Sequence, residues 1–294
     1  MNTKELLKRL PGLKQLLSMR SDLLITRATL EAQLRLQKEE FTLQLLSDPR
    51  HADPKRLSRY EAQVFSQNGE DGIIAEIFSR IGTTNRLFVE IGAGDGIENN
   101  TAYLLLKGWS GFWFDADESN LQSIHGHFAQ SIKDKRLAVG KEFFAAEAAL
   151  DVLKSYDVPT EFDLLSLDVD RNTSWIWRSL KPLRPRVVVI EYNASIPPQD
   201  DWEIPYDPAK QWDGTVMYGA GLLAMERIGR ELGYNLVGCD LSGSNAFFVR
   251  DDIAPDHFCS PFTARNHYEP IRLFLSRTWG HRRASALPLG RNTP

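Results

Sequence analysis

The stretch Phe88-Val89-Glu90-Ile91-Gly92-Ala93-Gly94-Asp95-Gly96 decides the fold, because an apolar run leads into three glycines at alternate positions. Glycine has no Cβ atom, so such a loop turns tightly and lets a ligand come close to its backbone amides. The apolar run predicts a buried strand. The glycines predict the tight loop that connects such a strand to a helix in Rossmann-type sheets.

The spacing of the glycines and the acidic residues around them narrow the ligand. The dinucleotide fingerprint is G-x-G-x-x-G, whereas the third glycine of this loop comes one residue early. Glu90 precedes the loop, and its carboxylate disfavours a pyrophosphate but suits a ligand with an amino group and a sulfonium. Asp115 ends the next predicted strand, about 20 residues past the glycines, where an acid can accept both ribose hydroxyls. These features predict a site for S-adenosylmethionine (SAM).

The composition is that of an ordinary globular protein with one catalytic domain and extensions. The chain has 294 residues, of which 42% are hydrophobic and 25% charged, and its formal net charge is -4. A negative net charge does not indicate nucleic-acid binding, which usually needs a basic protein surface. The two cysteines, Cys239 and Cys259, are far apart and indicate neither a disulfide framework nor a zinc site. We therefore expect a cytoplasmic protein.

The first 48 residues form a separate segment with leucines at helical spacing. Pro11 interrupts the basic, leucine-rich pattern between two short helices, and a further helix is expected from about Ser21 to Leu46. The basic amphipathic face suits peripheral contact with the inner face of a membrane, and the apolar stripe suits coiled-coil-like pairing with another copy or local burial. No apolar run reaches the roughly 18 residues that span a bilayer, so we expect no integral membrane segment. Residues 47–54 form the predicted linker.

Strands and helices alternate in the predicted methyltransferase-like domain, residues 55–258. The predicted strands are 87–91, 111–114, 136–139, 162–167, 186–190, 234–238 and 245–250, with helices at 72–80, 100–107, 120–131, 145–153, 175–180 and 219–232. Alternation implies a parallel, doubly wound sheet. The last two strands are close enough for an antiparallel hairpin. The fold class predicted is therefore α/β, a Rossmann-like class I methyltransferase sheet with an N-terminal helical extension. A C-terminal helix and basic tail, residues 259–294, complete the expected organisation.

Six ordered blocks of sequence resemble the FkbM-like group of SAM-dependent methyltransferases, especially bacterial members that methylate sugars and surface polysaccharides. The blocks are Ser66-Gln67-Asn68-Gly69-Glu70-Asp71-Gly72, residues 89–100, Gly108-Trp109-Ser110-Gly111, residues 163–170, Val189-Ile190-Glu191-Tyr192-Asn193 and residues 243–249. By this likeness, Gln67, Glu90, Gly92 and Asp115 would contact SAM, and Gly94 belongs to the same loop. Relatives carry glycine and an acidic residue where this chain has Arg171 and Thr173, so the likeness does not extend to the role of that loop.

Acidic residues follow two neighbouring predicted strands at their carboxyl ends, where ligands of doubly wound sheets bind. Alternation points Asp168 and Asp170 to one side if the strand continues that far, and Glu191 ends the next strand, followed by Asn193. Three carboxylates and an amide oxygen suit Mg²⁺, Mn²⁺ or Ca²⁺. The alternative is that these side chains cap loops, in which case Asp170, His257 or His267 would have to act as a base.

The expected activity is SAM-dependent transfer of a methyl group to a saccharide hydroxyl, assisted by a divalent metal such as Mg²⁺ or Mn²⁺, with Asp168, Asp170 and Glu191 as catalytic residues. A surface glycan terminus, in an O-antigen or capsule, is the expected acceptor. The loop 200–206, with Trp212 and Tyr218, offers aromatic faces for a sugar or else plugs the sheet. The alternatives are a metal-independent methyltransferase for a lipid or polyketide, a non-catalytic scaffold with the same fold, and a nicotinamide oxidoreductase, which the glycine spacing disfavours.

Overall fold

The computed structural model describes residues 12–210 and 212–276, which divide into two units between Ala52 and Asp53. The first unit contains one long helix, α1 (Leu13–Leu46), and a short 3-10 turn, Pro49–His51. The prediction that a new helix begins at Ser21 is wrong. Leu13–Leu46 contains neither proline nor glycine, so nothing in it breaks the backbone hydrogen bonding.

Parts of two sequence predictions lie outside the described residues. These are the helical stripe of residues 1–11 and the basic tail from 282 to 294. The boundaries proposed at residues 48, 55 and 258 stay predictions. The helix expected near the C-terminus is short in the described part, where Ala264–His267 (α9) forms one turn and Leu273–Leu275 a 3-10 turn.

The second unit alternates strands and helices. Its strands are β1 (Leu87–Ile91), β2 (Ser110–Asp115), β3 (Leu137–Lys141), β4 (Leu164–Leu167), β5 (Val187–Glu191), β6 (Tyr234–Cys239) and β7 (Asn245–Arg250). Its other helices are α2 (Glu70–Ile81), α3 (Ala102–Leu106), α4 (Glu118–His127), α5 (Ala129–Lys133), α6 (Ala149–Ser155), α7 (Thr173–Ser179) and α8 (Leu222–Leu232).

Across the described residues, the strands form a seven-stranded sheet in the order β3-β2-β1-β4-β5-β7-β6. The first five are parallel, whereas β7 runs antiparallel to both β5 and β6. This confirms the predicted fold class, a Rossmann-like sheet of the class I methyltransferase type that ends in an antiparallel hairpin. Ile91 is level with Phe114 and Leu167, and Leu167 with Ile190. The carboxyl ends of four strands therefore meet at one edge.

Helices cover both faces of the sheet, which explains why its strands are continuously apolar. Val187 and Val189 face a core shared with α2, while Val188 and Ile190 face a core shared with α7 and α8. All four valine and isoleucine side chains are fully buried, and each such burial stabilises the fold by about 1.5–3 kcal/mol. The two cores fix the sheet, and the loops at its carboxyl edge form the site.

Among the described helices, none combines the length and apolar character of a membrane span.

Candidate active site

The loop after β1 adopts the conformation that its glycines predicted. Gly92, Gly94 and Gly96 all have positive φ angles, of 85°, 57° and 81°, a region that side chains other than glycine rarely adopt. The amides of Gly92 and Ala93 donate to the Phe114 carbonyl oxygen at 2.9 and 3.0 Å. A Cβ atom on Gly92 would lie 1.6 Å from the carbonyl oxygen of Asp168. The loop therefore lies directly against the end of β4.

Glu90 is buried and ties this loop to the start of α3. One carboxylate oxygen accepts from the Asn100 amide at 2.9 Å and from Ser166 Oγ at 3.2 Å. The other accepts from Thr101 Oγ1 at 2.5 Å. Burial raises the pKa of Glu90 to about 7, although these hydrogen bonds act in the opposite direction. The side chain borders a cavity, but most of its hydrogen-bonding capacity serves the protein itself.

Asp115 lies at the end of β2, where the sequence predicted a ribose ligand. Its Oδ2 accepts from the Gly94 amide at 2.8 Å, and its Oδ1 accepts from the Asp117 amide at 2.8 Å and from Asn120 Nδ2 at 3.1 Å. A carboxylate has about four acceptor positions. The structure thus leaves room for roughly one more donor on Asp115, which fits one ribose hydroxyl better than two.

Two cavities lie at the carboxyl edge of the sheet, and Gly92 and Asp168 line both of them. The larger, of about 440 Å³, is bordered by Gln67, Glu90 and Gly94 and has a polar lining. The smaller, of about 330 Å³, is bordered by Asp115 and has a more apolar lining that includes Phe143, Phe144, Val169, Ile176 and Trp212. The geometry therefore offers an apolar compartment and a polar compartment on either side of one shared wall.

The structure brings together the three carboxylates that the sequence predicted as an acidic cluster. Asp168, Asp170 and Glu191 each offer one carboxylate oxygen, and these oxygens lie within 4.8 Å of one another. The strand does not continue to Asp170, however, because β4 ends at Leu167 and Asp170 adopts a positive φ of 60°. A turn after β4, rather than the alternation of side chains along a strand, therefore brings the carboxylates of Asp168 and Asp170 together.

Crowding and burial favour the protonated forms of these acids. Burial and then repulsion by Asp170 raise the pKa of Asp168 to about 6. The Asp168 side chain itself is exposed and borders both cavities, so a bound ligand would complete its burial. Burial, followed by the charges of Asp168 and Asp170, raises the pKa of Glu191 well above its usual range. Glu191 Oε2 is buried and has no hydrogen-bond partner among the described residues, so a cation would fit beside it.

Asn193, the predicted amide ligand, is used elsewhere. It is fully buried and borders neither cavity. Its Nδ2 donates to the carbonyl oxygens of Val216 and Tyr218 at 2.8 and 2.9 Å, and its Oδ1 accepts from the Ser195 amide at 3.0 Å. Asn193 therefore anchors the loop that precedes α8, and the structure does not bring it to the carboxylates as a ligand.

Most of the expected acceptor loop packs against other elements. Glu203 pairs with Arg178, Asp201 pairs with Arg227, and the Tyr206 hydroxyl donates to Glu147 at 2.5 Å. Ile204 is buried. From this loop region, Trp212 and Lys210 border the smaller cavity. The interpretation as a plug of the sheet thus describes residues 201–206 better than that of a sugar platform.

The two histidines considered as alternative bases border neither cavity. His267 is buried in the one-turn helix α9, and His257 follows the end of β7 by several residues. Trp177 is buried in the core, whereas Trp175 is partly exposed and donates to the Ile204 carbonyl oxygen at 2.9 Å.

Tyr218 was expected to offer an aromatic face to a sugar, whereas Asn99 and Asn245 were assigned no role in the site from the sequence. Tyr218 lies near the acidic cluster, where burial and then the charges of Glu191, Asp168 and Asp170 raise its pKa to about 12. Asn99 and Asn245 border the larger cavity. Both asparagines lie inside the blocks that carry the family resemblance, but residue type alone gave no signal of the role of either.

No family model and no curated protein matches the chain. Similar solved structures include an O-methyltransferase from neocarzinostatin biosynthesis in complex with SAM and 2-hydroxy-5-methyl naphthoic acid. It is 15% identical over 61% of this chain and 52% of that chain, with a TM-score of 0.38. The methyltransferase domain of bacterial CtHen1-C is 13% identical over 60% of this chain and 94% of that chain, with a TM-score of 0.36.

The pyocyanin biosynthetic protein PhzM is 15% identical over 60% of this chain and 54% of that chain, with a TM-score of 0.36. The chain thus spans about half the length of this protein and of the neocarzinostatin enzyme. Because the TM-scores are low, the fold assignment rests on the strand order of this chain itself.

Proposed function

We propose that this protein is a SAM-dependent O-methyltransferase of the FkbM-like kind that acts on a saccharide hydroxyl, at the terminus of a surface glycan such as an O-antigen or capsule. The observation that carries the proposal is the pair of cavities that share Gly92 and Asp168. One compartment suits a nucleoside, and the other combines a polar lining with a carboxylate cluster. A methyl donor and a hydroxyl acceptor need such adjoining compartments.

The smaller cavity suits the adenosine part of SAM. Phe143, Phe144 and Ile176 provide apolar contacts for adenine, and Asp115 accepts a hydrogen bond from ribose. Gly92 and Gln67 would hold the methionine part at the larger cavity, where its ammonium group would pair with the carboxylates of the lining and offset its own carboxylate. The sulfonium then lies near the shared wall, where the negative charge of Asp168 favours it.

Transfer is a direct displacement at carbon. The acceptor oxygen forms a bond to the methyl carbon while the carbon–sulfur bond breaks, and the electron pair of that bond stays on sulfur. The hydroxyl proton passes to a carboxylate. Without a bound ion, Asp168 suits this role because it borders both cavities and because its pKa of about 6 lies near the pH at which a general base is most effective.

Asp168, Asp170 and Glu191 also fit a divalent ion. Their clustered oxygens and the unpartnered Glu191 Oε2 form an all-oxygen set of the kind that Mg²⁺ and Mn²⁺ prefer. A bound ion of this type polarises a hydroxyl group and lowers its pKa. Asn193 is not part of the set that we propose, because its amide holds the loop before α8.

Calorimetry with SAM and with S-adenosylhomocysteine tests the donor site. We expect both to bind, and Asp115→Ala to weaken both by about tenfold or more, since it removes a hydrogen bond to a charged acceptor. The control is Asp201→Asn, which changes a surface carboxylate that pairs with Arg227. Failure of the wild-type protein to bind either compound refutes the proposal.

Chelation separates the metal-assisted reaction from its metal-independent alternative. We expect EDTA to abolish methylation and Mn²⁺ or Mg²⁺ to restore it, while SAM binding persists. Asp168→Asn and Glu191→Gln should each lower turnover by at least about a hundredfold, as expected for a proton acceptor or a metal ligand. Full activity in EDTA would favour the metal-independent enzyme instead.

We also propose where the reaction takes place and what the N-terminal helix does. We place the protein in the cytoplasm, with α1 as the segment that pairs with a second copy or lies at the inner face of the membrane. Exposed leucines along α1, including Leu16, Leu23 and Leu30, support a role in association. The saccharide acceptor is supported by the polar lining of the larger cavity.

A further inference from the structure

All the ionisable side chains that line the larger cavity, among the described residues, are acidic. Among the described residues that border it, six carry carboxylates, six carry carboxamides, and none is lysine, arginine or histidine. Beyond the proposed metal ligands, the carboxylates belong to Glu70, Glu90, Asp95 and Glu98. An acceptor in this cavity would therefore meet mainly carboxylate and carboxamide side chains.

This charge pattern selects against anionic acceptors. A phosphate or a carboxylate needs donors in exchange for its hydration. The carboxamides of this cavity can donate, but an anion would also lie beside several carboxylates and beside no cationic side chain among the described lining residues. A bound divalent ion does not reverse the sign, because Asp168, Asp170 and Glu191 together carry more negative charge than the ion carries positive charge when they are ionised. Hydroxyl groups, in contrast, donate readily to carboxylates.

Two buried amide atoms in the same cavity provide an independent observation. Asn99 Nδ2 and Asn245 Oδ1 have no hydrogen-bond partner among the described residues, although each residue is more than nine-tenths buried. The other ends of both amides are fixed, since Asn99 Oδ1 accepts from the Ala102 amide at 2.9 Å and Asn245 Nδ2 donates to Glu70 at 2.8 Å. One donor, Asn99 Nδ2, and one acceptor, Asn245 Oδ1, are therefore without a hydrogen-bond partner beside this cavity.

We propose that the acceptor is an uncharged saccharide, a glycoside without phosphate or carboxylate on the ring that enters the cavity, and that Asn99 and Asn245 hold its hydroxyl groups. A hydroxyl donates and accepts at once, so neighbouring ring hydroxyls satisfy both amide atoms. This inference rests on the proposed methyltransferase function. It places the reaction on a glycan or glycoside rather than on a nucleotide-linked sugar.

Matched acceptors test the inference. The probes are the methyl glycosides of glucose, galactose, mannose and rhamnose, together with the uronic acid glycosides and sugar 1-phosphates of the three hexoses, each offered with SAM and Mn²⁺. We expect methylation of at least one neutral glycoside, with kcat/KM at least about tenfold above that of its anionic counterparts. Equal or faster methylation of an anionic member overturns the inference, as does the absence of any neutral substrate in protein that binds SAM.

Calorimetry with SAM on the same protein preparation distinguishes failure of the proposed function from failure of this inference alone. Protein that binds no SAM refutes the proposed function, and the inference falls with it. Protein that binds SAM and prefers an anionic acceptor leaves the methyltransferase proposal standing and refutes the inference alone.

Asn99→Asp tests the role of the amides. The substitution keeps an oxygen for the Ala102 amide and removes the Nδ2 donor, so α3 keeps its N-terminal hydrogen bond. We expect KM for the neutral glycoside to rise by about tenfold and the Kd for SAM to change by less than about twofold. The control is Asn235→Asp on β6, outside both cavities. A loss of SAM affinity without a change in acceptor KM assigns Asn99 to the donor and overturns its proposed role.

Discussion

Gly92 joins the two halves of the candidate site at the scale of a single residue. Its φ angle of 85° and the missing Cβ let the chain pass against the carbonyl oxygen of Asp168. Its amide donates to the Phe114 carbonyl oxygen at 2.9 Å. Any side chain at this position would push the glycine loop away from β4 and separate the carboxylate of Asp168 from the donor cavity.

Gly92→Ala should therefore destabilise the protein much more than Gly94→Ala. Both residues have positive φ angles, which cost alanine about 1–2 kcal/mol. A Cβ on Gly94 would meet nothing within 4 Å, whereas one on Gly92 would overlap backbone atoms of Asp168. We expect a loss of at least about 3 kcal/mol for Gly92→Ala, measured by urea denaturation. Equal losses for the two variants would contradict the packing argument.

Glu90 gives a prediction about pH. Its pKa is about 7 in the folded protein, against an ordinary value of 4.5, so ionisation weakens the fold as pH rises through this interval and has its full effect above pH 7. Relative to wild type, Glu90→Gln should gain roughly 1–3 kcal/mol of unfolding free energy between pH 4.5 and pH 8. Denaturation at several pH values, without ligand, measures the difference. If the difference in unfolding free energy between Glu90→Gln and wild type did not change with pH, ionisation of Glu90 would not destabilise the fold.

The sequence identified the site residues whose chemistry is recognisable by position, such as Glu90, Asp115 and Asp168. Each follows or ends a strand, and strand ends of a parallel sheet meet at one edge. It did not assign roles to Asn99 and Asn245, because an asparagine in a loop or at the start of a strand looks the same whether it faces solvent, caps a helix or faces a ligand. The partner of Asn245, Glu70, lies 175 residues away in the chain, so sequence proximity gives no sign of it.

At the scale of elements, strands were predicted more accurately than helices. The bounds of β1 and β7 agree with those expected, because each strand is apolar and bordered by polar or turn residues. The single helix expected over 120–131 is instead two, α4 and α5, which meet at Phe128. Phe128 is buried against Trp113 with ring centroids 4.7 Å apart. The helical spacing of apolar residues in the sequence carries no information about tertiary packing of this kind.

Helix α1 leads to a prediction about self-association. Leu16, Leu23 and Leu30 recur at heptad spacing and are 64%, 72% and 60% exposed. In a parallel pair, Asp22 of one copy would lie near Arg27 of the other, at positions that flank the apolar seam. We expect the full chain to sediment as a dimer, and Leu23→Glu with Leu30→Glu to yield monomers of unchanged fold.

Ala32→Glu is the matched control for this pairing, because Ala32 lies on α1 away from the heptad positions. It should leave the dimer intact. A wild-type monomer at micromolar concentration would rule out pairing through α1. If the monomer then bound vesicles that contain anionic lipid, contact with a membrane surface would be favoured instead.

At the scale of the whole molecule, proton and metal binding should compete. The pKa of Asp168 is raised to about 6, and those of Asp170 and Glu191 are raised as well, while a metal ligand must be deprotonated. The apparent affinity for Mn²⁺ should therefore fall by at least about fivefold from pH 7.5 to pH 5.5. Calorimetric titration at the two pH values measures this, and Asp168→Asn should bind weakly at both. An affinity that is unchanged across this range would argue against the carboxylates as ligands.

The contacts of Asn193 have a consequence for the evolution of the molecule. Its Nδ2 donates to main-chain carbonyl oxygens, those of Val216 and Tyr218. Main-chain atoms are the same whatever side chains a segment carries, so most side chains of residues 212–217 can be exchanged by mutation without loss of this attachment. Lineages that inherit the scaffold can thus vary residues 213–217 without releasing the segment from Asn193, whereas Trp212 is constrained by the smaller cavity that it borders.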